Sequence, residues 1–465
     1  MSKFFKIIVL VFLITGCRST PLQNILPGSG FQLRPYKEVK LSNGLRVLLV
    51  DDRALPYTTF SMMIKSGAAH DPANMPGLSH FVAEMINKGT PKLNATQIAD
   101  AFGAIGAQYD ADTDYDFTQI NASGLSQYSD ELLDIYSTVI TNAAFSKEEI
   151  KRLKRQVLDA IKKTTEEPGS FTSLAYQDYL YSEHPYSHAV MGRRKGISMV
   201  EQKHVVKHFR QYYRPNNAIL AVVGNYSDNI VEKLEKHFGG WKEKEIPQLA
   251  FPSLPQIQGH QIRIVDKGDL VQSEIRIGHY GIRRDNPDFQ KLRLANTILG
   301  GGFASRLMQE VRVRSGLTYG ISSGFEARKD SGPFTITTFT RNEKVGETIK
   351  KTLQELERFR SQGATDEEVK DAKAYMIGNF PRAIETAEKL ANNLMVLRLY
   401  GIGDNYLEDF IDDVQKITTS EVNQVIRNYL KPESLKILVY SNSRSVKDQL
   451  GPVGPVEVKS FRDYL

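Results

Sequence analysis

The residues with the clearest chemical potential are a histidine and a glutamate four positions apart. His80 and Glu84 lie in the sequence S-H-F-V-A-E-M, residues 79–85. On a helix, residues at i and i+4 share one face, so this imidazole and this carboxylate could reach the same divalent cation. Two ligands make a weak metal site, and the intervening Ala83 has no group that could move a proton.

The frame around this stretch resembles the signature of the pitrilysin/insulinase peptidase family, which includes subunits of mitochondrial processing peptidase. The resemblance rests on residues 66–72 (S-G-A-A-H-D-P), 76–85 (P-G-L-S-H-F-V-A-E-M) and 88–90 (K-G-T). The family motif is H-x-x-E-H, in which two histidines bind zinc and the glutamate takes a proton from the metal-bound water. His80 matches the first histidine, whereas Ala83 replaces the glutamate and Glu84 the second histidine. The resemblance therefore implies that the base and one ligand are lost.

The third zinc ligand of the family is a distant glutamate, about 75 residues beyond the motif in a helix that reads V-x-x-E-I/L. The matching segment here is R-Q-V-L-D-A-I, residues 155–161, which places Ala160 at the ligand position. The neighbouring Asp159 points to another helical face. We therefore predict no metal site and no catalytic residue in this chain, with zinc carried by a partner. His204 and His208 share a helical spacing but lack an intervening glutamate and a third partner, and we predict that they lie on a solvated helix face. His184 and His188 flank a proline-containing loop and carry no stronger claim.

The second half of the chain carries an arginine and a tyrosine seven positions apart, Arg312 and Tyr319. They lie within L-G-G-G-F-A-S-R-L (299–307), Q-E-V-R (309–312) and G-L-T-Y-G (316–320), which resemble the family's second-domain signature. In the family, this pair reaches across a closed chamber to the peptide at the opposite zinc site. A guanidinium and a phenol can both donate to a scissile carbonyl oxygen that gains charge. We predict that Arg312, Tyr319 and the glycines Gly300, Gly301 and Gly302 bind substrate. The alternative is that Arg312 caps helix carbonyls and Tyr319 packs at a domain edge.

The pattern of elements around these residues predicts an α+β fold built from two duplicated domains. Asn43-Gly44 between two apolar runs predicts a hairpin, and helical periods dominate the next 120 or so residues. Pro215 and Pro432 each follow a helical pattern and precede an apolar strand, at an offset of 217 residues that Tyr212 and Tyr429 share. Each domain is predicted as a mainly antiparallel sheet with helices packed on one face. The predicted domains are residues 36–246 and 260–465, joined by a proline-marked linker at 247–259. The family resemblance implies that the two domains together form one half of a clam shell.

The N-terminus predicts export and lipid attachment. Lysines precede a short apolar run that ends in I-T-G-C, residues 14–17, which resembles a lipoprotein signal with Cys17 as the lipidated residue. Cys17 is the only cysteine, so the chain has no internal disulfide. Residues 1–17 are the predicted signal peptide and 18–35 a tether; Arg18 favours the outer membrane, facing the bacterial periplasm. The net charge of +6 is read as spread along the chain, which argues against nucleic acid as a partner.

Three functions remain open at this point. The chain is a non-catalytic subunit that forms a heterodimer with a zinc-bearing relative and supplies Arg312 and Tyr319 to peptides in the partner's site. Alternatively, it binds peptides or scaffolds other proteins without any proteolysis. The third possibility is an active zinc endopeptidase with a rearranged metal site.

Overall fold

The computed structural model describes residues 33–464, whose strands form two six-stranded sheets. The predicted signal peptide, Cys17 and most of the predicted tether lie outside the described residues. No helix within the described residues is long and apolar enough to cross a membrane.

The first sheet belongs to the N-terminal half and has the strand order β1-β2-β6-β3-β5-β4. Its only parallel pair is β2 with β6. The predicted hairpin is present: β1 and β2 pair antiparallel, and Gly44 has a φ of 86°, which glycine adopts without strain. The strands are β1 (Lys37–Lys40), β2 (Arg46–Asp51), β3 (Tyr57–Ile64), β4 (Gln108–Thr113), β5 (Thr118–Leu125) and β6 (Ala218–Gly224).

The second sheet belongs to the C-terminal half and has the order β12-β7-β11-β8-β10-β9. Its strands β7 to β11 repeat the arrangement of β2 to β6, and β12 adds a parallel edge where the first sheet has an antiparallel one. The strands are β7 (His260–Asp266), β8 (Gln272–Tyr280), β9 (Ile321–Phe325), β10 (Pro333–Arg341), β11 (Leu435–Ser441) and β12 (Val456–Ser460).

The helices pack against these sheets. In the N-terminal half they are α1 (Leu78–Met85), α2 (Ala95–Ala104), α3 (Ser129–Thr141), α4 (Lys147–Thr164), α5 (Pro168–Tyr181), α6 (Arg194–Met199), α7 (Gln202–Tyr212) and α8 (Ile230–Phe238). In the C-terminal half they are α9 (Phe289–Asn296), α10 (Val345–Gln362), α11 (Asp366–Ile384), α12 (Ala387–Tyr400), α13 (Asn405–Glu408), α14 (Phe410–Lys416), α15 (Thr419–Tyr429) and α16 (Ser443–Leu450). Two further segments, Thr297–Gly301 and Met308–Arg314, are π-helical.

The duplication predicted from the two proline turns is confirmed. Helices α7 and α15 and strands β6 and β11 are related by the same offset of 217 residues. The predicted α+β class, with two mainly antiparallel sheets, is therefore correct. The domain boundaries and the linker at 247–259 stay predictions, although no helix or strand lies between Phe238 and His260.

One helix of each half packs on the sheet of the other half. Helix α5 lies against β8 and β11, where Phe171 contacts Tyr440 with ring centroids 4.6 Å apart. Helix α12 lies against β2 and β6, and its Leu390 and Leu394 share a buried cluster with Leu48. Each sheet is thus covered on its second face by a helix from the opposite half. Separation of the halves would expose these apolar surfaces.

A buried carboxylate also joins the two halves. Asp116, only 3% exposed, accepts hydrogen bonds from the Tyr186 hydroxyl (2.7 Å), the backbone N–H of Lys329 (2.7 Å) and the Tyr400 hydroxyl (3.0 Å). Tyr186 belongs to the N-terminal half, and the other two donors belong to the C-terminal half.

We expect Asp116→Ala to lower the free energy of unfolding by about 3 kcal/mol, because three donors lose their charged acceptor. Urea titration followed by circular dichroism measures the change. Asp110→Ala is the matched control: that carboxylate is exposed and accepts from the Asn121 side chain, so its loss should change stability by about 0.5 kcal/mol or less. Equal effects of the two substitutions would contradict the role of Asp116.

Candidate functional site

The helix that carries His80 is fixed at its N-terminus by a buried carboxylate. Asp71 accepts hydrogen bonds from the backbone N–H groups of Gly77 (2.6 Å) and Ser79 (2.7 Å). The Ser79 hydroxyl lies 2.6 Å from Asp71 Oδ1 and 3.3 Å from His208 Nε2. A carboxylate here satisfies N–H groups at the start of α1 that have no partner within the helix. The network therefore positions α1.

His208 is a packed residue, so the prediction that it lies on a solvated helix face is wrong. It is 5% exposed and packs on Tyr212 with the two rings tilted by 51°, because it occupies the side of α7 that faces α1. His204, four residues earlier, is half-buried and accepts a hydrogen bond from the backbone N–H of Glu201. His184 is also buried and lies 3.1 Å from Asp330 across the junction of the halves.

The remnant of the zinc motif lies on the partly exposed edge of α1. His80 and Glu84 are half-buried, while Ala83 is 1% exposed. Burial lowers the pKa of His80, and the charges of Glu84 and Asp112 oppose that shift.

The residues at the zinc positions do not fit a zinc ion. Ala160 lies on α4, which packs against α1, and its methyl group offers no donor atom. The described residues contain no group of three or more His, Cys, Asp or Glu side chains arranged to hold a metal ion. His80 and Glu84 alone would fill only two of the four coordination positions that zinc usually has. No water-activating step can be written for these residues.

Two buried histidines make the fold sensitive to acid. Burial, together with the nearby His70, lowers the pKa of His208 to about 3, and burial lowers the pKa of His279 to about 4. His279 lies with Nδ1 2.8 Å from the Tyr280 carbonyl, and its Nε2 accepts from the Lys431 N–H, an arrangement that requires the neutral ring.

In the unfolded chain both histidines take up protons near pH 6.5, which the folded chain does not do until pH 3–4. The two histidines therefore leave the free energy of unfolding at its full value above about pH 6.5. They lower it as the pH decreases, by about 1–2 kcal/mol per histidine between pH 7 and pH 5. Urea unfolding at several pH values measures this loss. The variant His208→Gln should show a shallower pH dependence, and identical slopes would contradict the assignment.

The arginine and tyrosine predicted to bind substrate both lie at the surface. Tyr319 is 82% exposed, and its side chain contacts no other described residue by hydrogen bond, ion pair or ring packing. Arg312 is half-buried, and its guanidinium lies 5.1 Å from the ring centroid of Phe303. It makes no ion pair with a described residue. Both polar groups are thus available to a ligand from outside the chain.

The backbone that carries Tyr319 is held firmly although its side chain is free. The Thr340 hydroxyl donates to the Leu317 carbonyl, and the Thr338 hydroxyl donates to the Gly320 carbonyl at 2.9 Å. Thr318 adds two hydrogen bonds with Gly320. Hydroxyls of β10 therefore fix the segment on both sides of Tyr319.

Arg312 belongs to the π-helical segment Met308–Arg314. π-helical geometry is rare in proteins as a whole, and where it occurs it is often at a functional site. The segment ends at Arg314, and Gly316 follows it with a φ of 61°. Just before this segment, Arg306 forms a two-pronged ion pair with Glu368 on α11 at 2.6 and 2.7 Å. The turn that precedes Arg312 is therefore anchored to α11.

The three glycines predicted to bind substrate do not form a single loop. Gly300 and Gly301 belong to the π-helical segment, and only Gly302 is extended. Gly300 is buried because its missing Cβ leaves room for Ser323 of β9; an added Cβ would lie 2.4 Å from the Ser323 hydroxyl. Gly300 is thus required by packing, while Gly301 and Gly302 lie nearer the surface.

An exposed aromatic surface next to these glycines was missed by the sequence analysis. Phe303 is 76% exposed and Tyr375 of α11 is 53% exposed. They border a cavity of about 400 Å³ together with Ile298, Ala304 and Ala372. A phenylalanine directly after three glycines could have indicated this surface, because such a side chain has little local structure to pack against.

Comparison with known families agrees with this arrangement. Residues 46–193 match the sequence model described as "Insulinase (Peptidase family M16)", and residues 200–376 match the one described as "Peptidase M16 inactive domain". The positions of His80, Ala83, Glu84 and Ala160 all lie in the first match. The second match includes Arg312 and Tyr319.

Individual relatives align along most of the chain. A protein of Bacillus subtilis named "Uncharacterized zinc protease YmxG" is 27% identical over 395 residues, which cover 84% of this chain and 95% of that protein. The "Non-peptidase homolog YmxG" of Helicobacter pylori is 23% identical, covering 86% and 93%. The crystal structure of a "peptidase M16 inactive domain" from Pseudomonas fluorescens superposes with a TM-score of 0.81 at 26% identity, covering 87% of this chain and 97% of that chain.

Proposed function

This chain belongs to the insulinase (M16) family of peptidases, and on that premise we propose that it is a non-catalytic, substrate-binding subunit of a periplasmic zinc metallopeptidase complex. The observation that carries the proposal is a contrast between the two halves. Ala83 and Ala160 leave the zinc position without a base and a ligand, while Tyr319 is exposed and the half-buried Arg312 forms no ion pair with a described residue. The surface that contacts substrate is retained, and the metal chemistry is lost.

In this proposal the zinc belongs to a related partner chain with an intact H-x-x-E-H motif. Arg312 and Tyr319 donate hydrogen bonds to the carbonyl oxygen of the scissile peptide as it gains negative charge. Phe303 lies against the Arg312 guanidinium and limits its freedom, so that the cation is already oriented before the peptide arrives.

We further propose that the complex is held at the outer membrane by lipid on Cys17. The support is the sequence around Cys17 and the Arg18 that follows it. The peptides of the periplasm are then the substrates. Metabolic labelling of the chain with a radioactive fatty acid tests the anchor, and Cys17→Ala should abolish the label.

The proposal as a whole is tested by purifying the full chain from its native cells and analysing the proteins and metal that accompany it. We expect a related chain with H-x-x-E-H, about one zinc per pair, and peptidase activity that the isolated chain lacks. The name "Non-peptidase homolog" of the Helicobacter relative supports that lack of activity.

Two other results would overturn the proposal. Peptide binding without any zinc-bearing partner would indicate a scaffold or peptide-binding protein. Zinc bound to the isolated chain, with chelator-sensitive activity, would indicate a peptidase with a rearranged site.

A further inference from the structure

The positive charge of the chain is concentrated in two segments of the N-terminal half, so the expectation of an evenly spread charge is wrong. Residues 147–163 and 193–214 contain 14 lysines and arginines and 4 acidic residues, a net charge of +10. The whole chain carries only +6, so the remaining residues are net negative. These two segments form α4, α6 and α7.

The three helices are neighbours, so their charges form one surface. The Lys154 ammonium on α4 donates to the Ser198 carbonyl on α6 at 3.0 Å. The Gln202 side chain on α7 donates to the Phe145 carbonyl, two residues before α4 begins, at 2.7 Å. Cations on the outer sides of these helices therefore lie on one continuous surface.

Most cations of this surface have no acidic partner. Two acids in these segments are already paired: Glu149 with Arg152 at 2.6 Å and Glu201 with Lys203 at 2.8 Å. Nine exposed cations form no ion pair with a described residue, and we call them the basic face: Lys147, Lys151, Arg155, Lys162, Lys163, Arg194, Lys195, Lys207 and Arg210.

Helix α4 shows why the basic face points outward. Its inner side is apolar, with Ile150, Leu153, Val157 and Ile161 buried at helical spacing. Residues such as Arg155 lie on the opposite side. The helix has 18 residues and is therefore about 27 Å long. The cations are spread over this length and over two further helices.

From this arrangement we infer that the basic face binds the surface of a membrane rich in anionic phospholipid. A bilayer presents many phosphate groups across a plane, which matches cations distributed over three helices. Each lysine or arginine held near such a surface is expected to raise the affinity about fivefold. An acidic peptide would have to match the same spread of charges along a single strand.

The chain that precedes the described residues is compatible with this docking. The described structure begins at Leu33, and the 15 residues between Cys17 and Leu33, when extended, reach about 50 Å. A lipid on Cys17 would therefore hold Leu33 within that distance of a bilayer. The inference does not depend on the peptide-binding role of Arg312 and Tyr319.

Lysine footprinting on the full chain tests the inference. The protein is added to vesicles of phosphatidylcholine alone or mixed with phosphatidylglycerol, treated with an amine-acetylating reagent and analysed by mass spectrometry. We expect Lys151, Lys162, Lys195 and Lys207 to react severalfold more slowly on the phosphatidylglycerol vesicles. The protection should disappear in about 0.5 M NaCl, where charges are screened within a few ångströms.

Lysines on other surfaces serve as internal controls. Lys350, Lys370 and Lys447 are exposed and unpaired among the described residues, and their reaction rates should be the same on both vesicles. These controls also correct for repulsion of the reagent by the anionic vesicles. Equal rates at the basic face on both kinds of vesicle would overturn the inference. Protection by soluble polyglutamate, with none on vesicles, would also overturn it and would indicate an acidic polypeptide partner.

A pair of charge-matched variants completes the test. The first replaces Lys151, Arg155, Lys195 and Lys207 with glutamine, and protection of the remaining Lys162 should be lost. The second replaces Lys350, Lys370, Arg444 and Lys447 with glutamine, which lowers the net charge equally, and protection of Lys162 should persist. All eight positions are exposed, so both variants are expected to fold. Loss of protection in both variants would show that only the total charge matters.

Discussion

Arg312→Ala is expected to reduce the peptidase activity of the assembled complex by about 100- to 1000-fold, as removal of one oxyanion donor does elsewhere. The guanidinium makes no ion pair with a described residue, so its removal costs the fold little beyond its contact with Phe303. The loss should appear in kcat, because the hydrogen bond strengthens as the carbonyl oxygen becomes charged. Steady-state hydrolysis of a fluorogenic peptide by the purified complex measures it.

Tyr319→Phe is also expected to reduce the peptidase activity of the complex, and it is the smaller structural change of the two. It removes only the hydroxyl from a side chain that is 82% exposed, so neither folding nor assembly should alter. The matched control is Arg314→Ala, two residues from Arg312 on the same segment, whose side chain is exposed and paired with Glu310 at 3.1 Å. We expect Arg314→Ala to leave activity unchanged. Full activity of Arg312→Ala in a correctly assembled complex would contradict the proposed catalytic assistance. Peptide binding would then be the only role left for this chain.

Local signals allowed much of the fold to be predicted. The Asn43-Gly44 turn depends on the backbone freedom of two adjacent residues, and the repeat at Pro215 and Pro432 depends on a pattern that occurs twice. Both can be read without knowledge of what packs against them.

Features that depend on contacts between distant segments could not be predicted. The packing of α5 and α12 on opposite sheets joins residues far apart in the chain, as Phe171 and Tyr440 illustrate. The burial of His208 follows from its contact with Ser79, 129 residues away. The basic face was missed for another reason: a net charge averages over the chain, whereas a surface depends on where helices bring the charges together.

The departure from the family's zinc motif lies in the side chains, because the helices that carry these positions are present. Helices α1 and α4 pack against each other, and Asp71 still fixes the start of α1. Position 84 already carries a polar residue, and positions 84 and 160 are both partly exposed. A larger polar side chain at either position therefore has room toward solvent.

The variant Glu84→His with Ala160→Glu is therefore expected to bind about one zinc ion per chain, since it supplies two histidines and a carboxylate in the arrangement of the family. Metal analysis after dialysis against zinc measures this, and wild type should retain almost none. Glu84→His alone is the matched control, because it keeps Asp159 but adds no carboxylate at position 160. If the single and double variants bound zinc equally, position 160 would not face the site.

The double variant should remain inactive, because no group at position 83 can take the proton from a metal-bound water. Ala83 is 1% exposed, so Ala83→Glu buries a carboxylate and is expected to destabilise the chain unless zinc and its water provide a partner. We therefore expect zinc to raise the unfolding temperature of the triple variant. The rise should be larger than the one that zinc causes in the double variant. Peptide hydrolysis by the zinc-loaded triple variant, absent from the double variant, would show that the ligands and the base were lost as separable parts of one site.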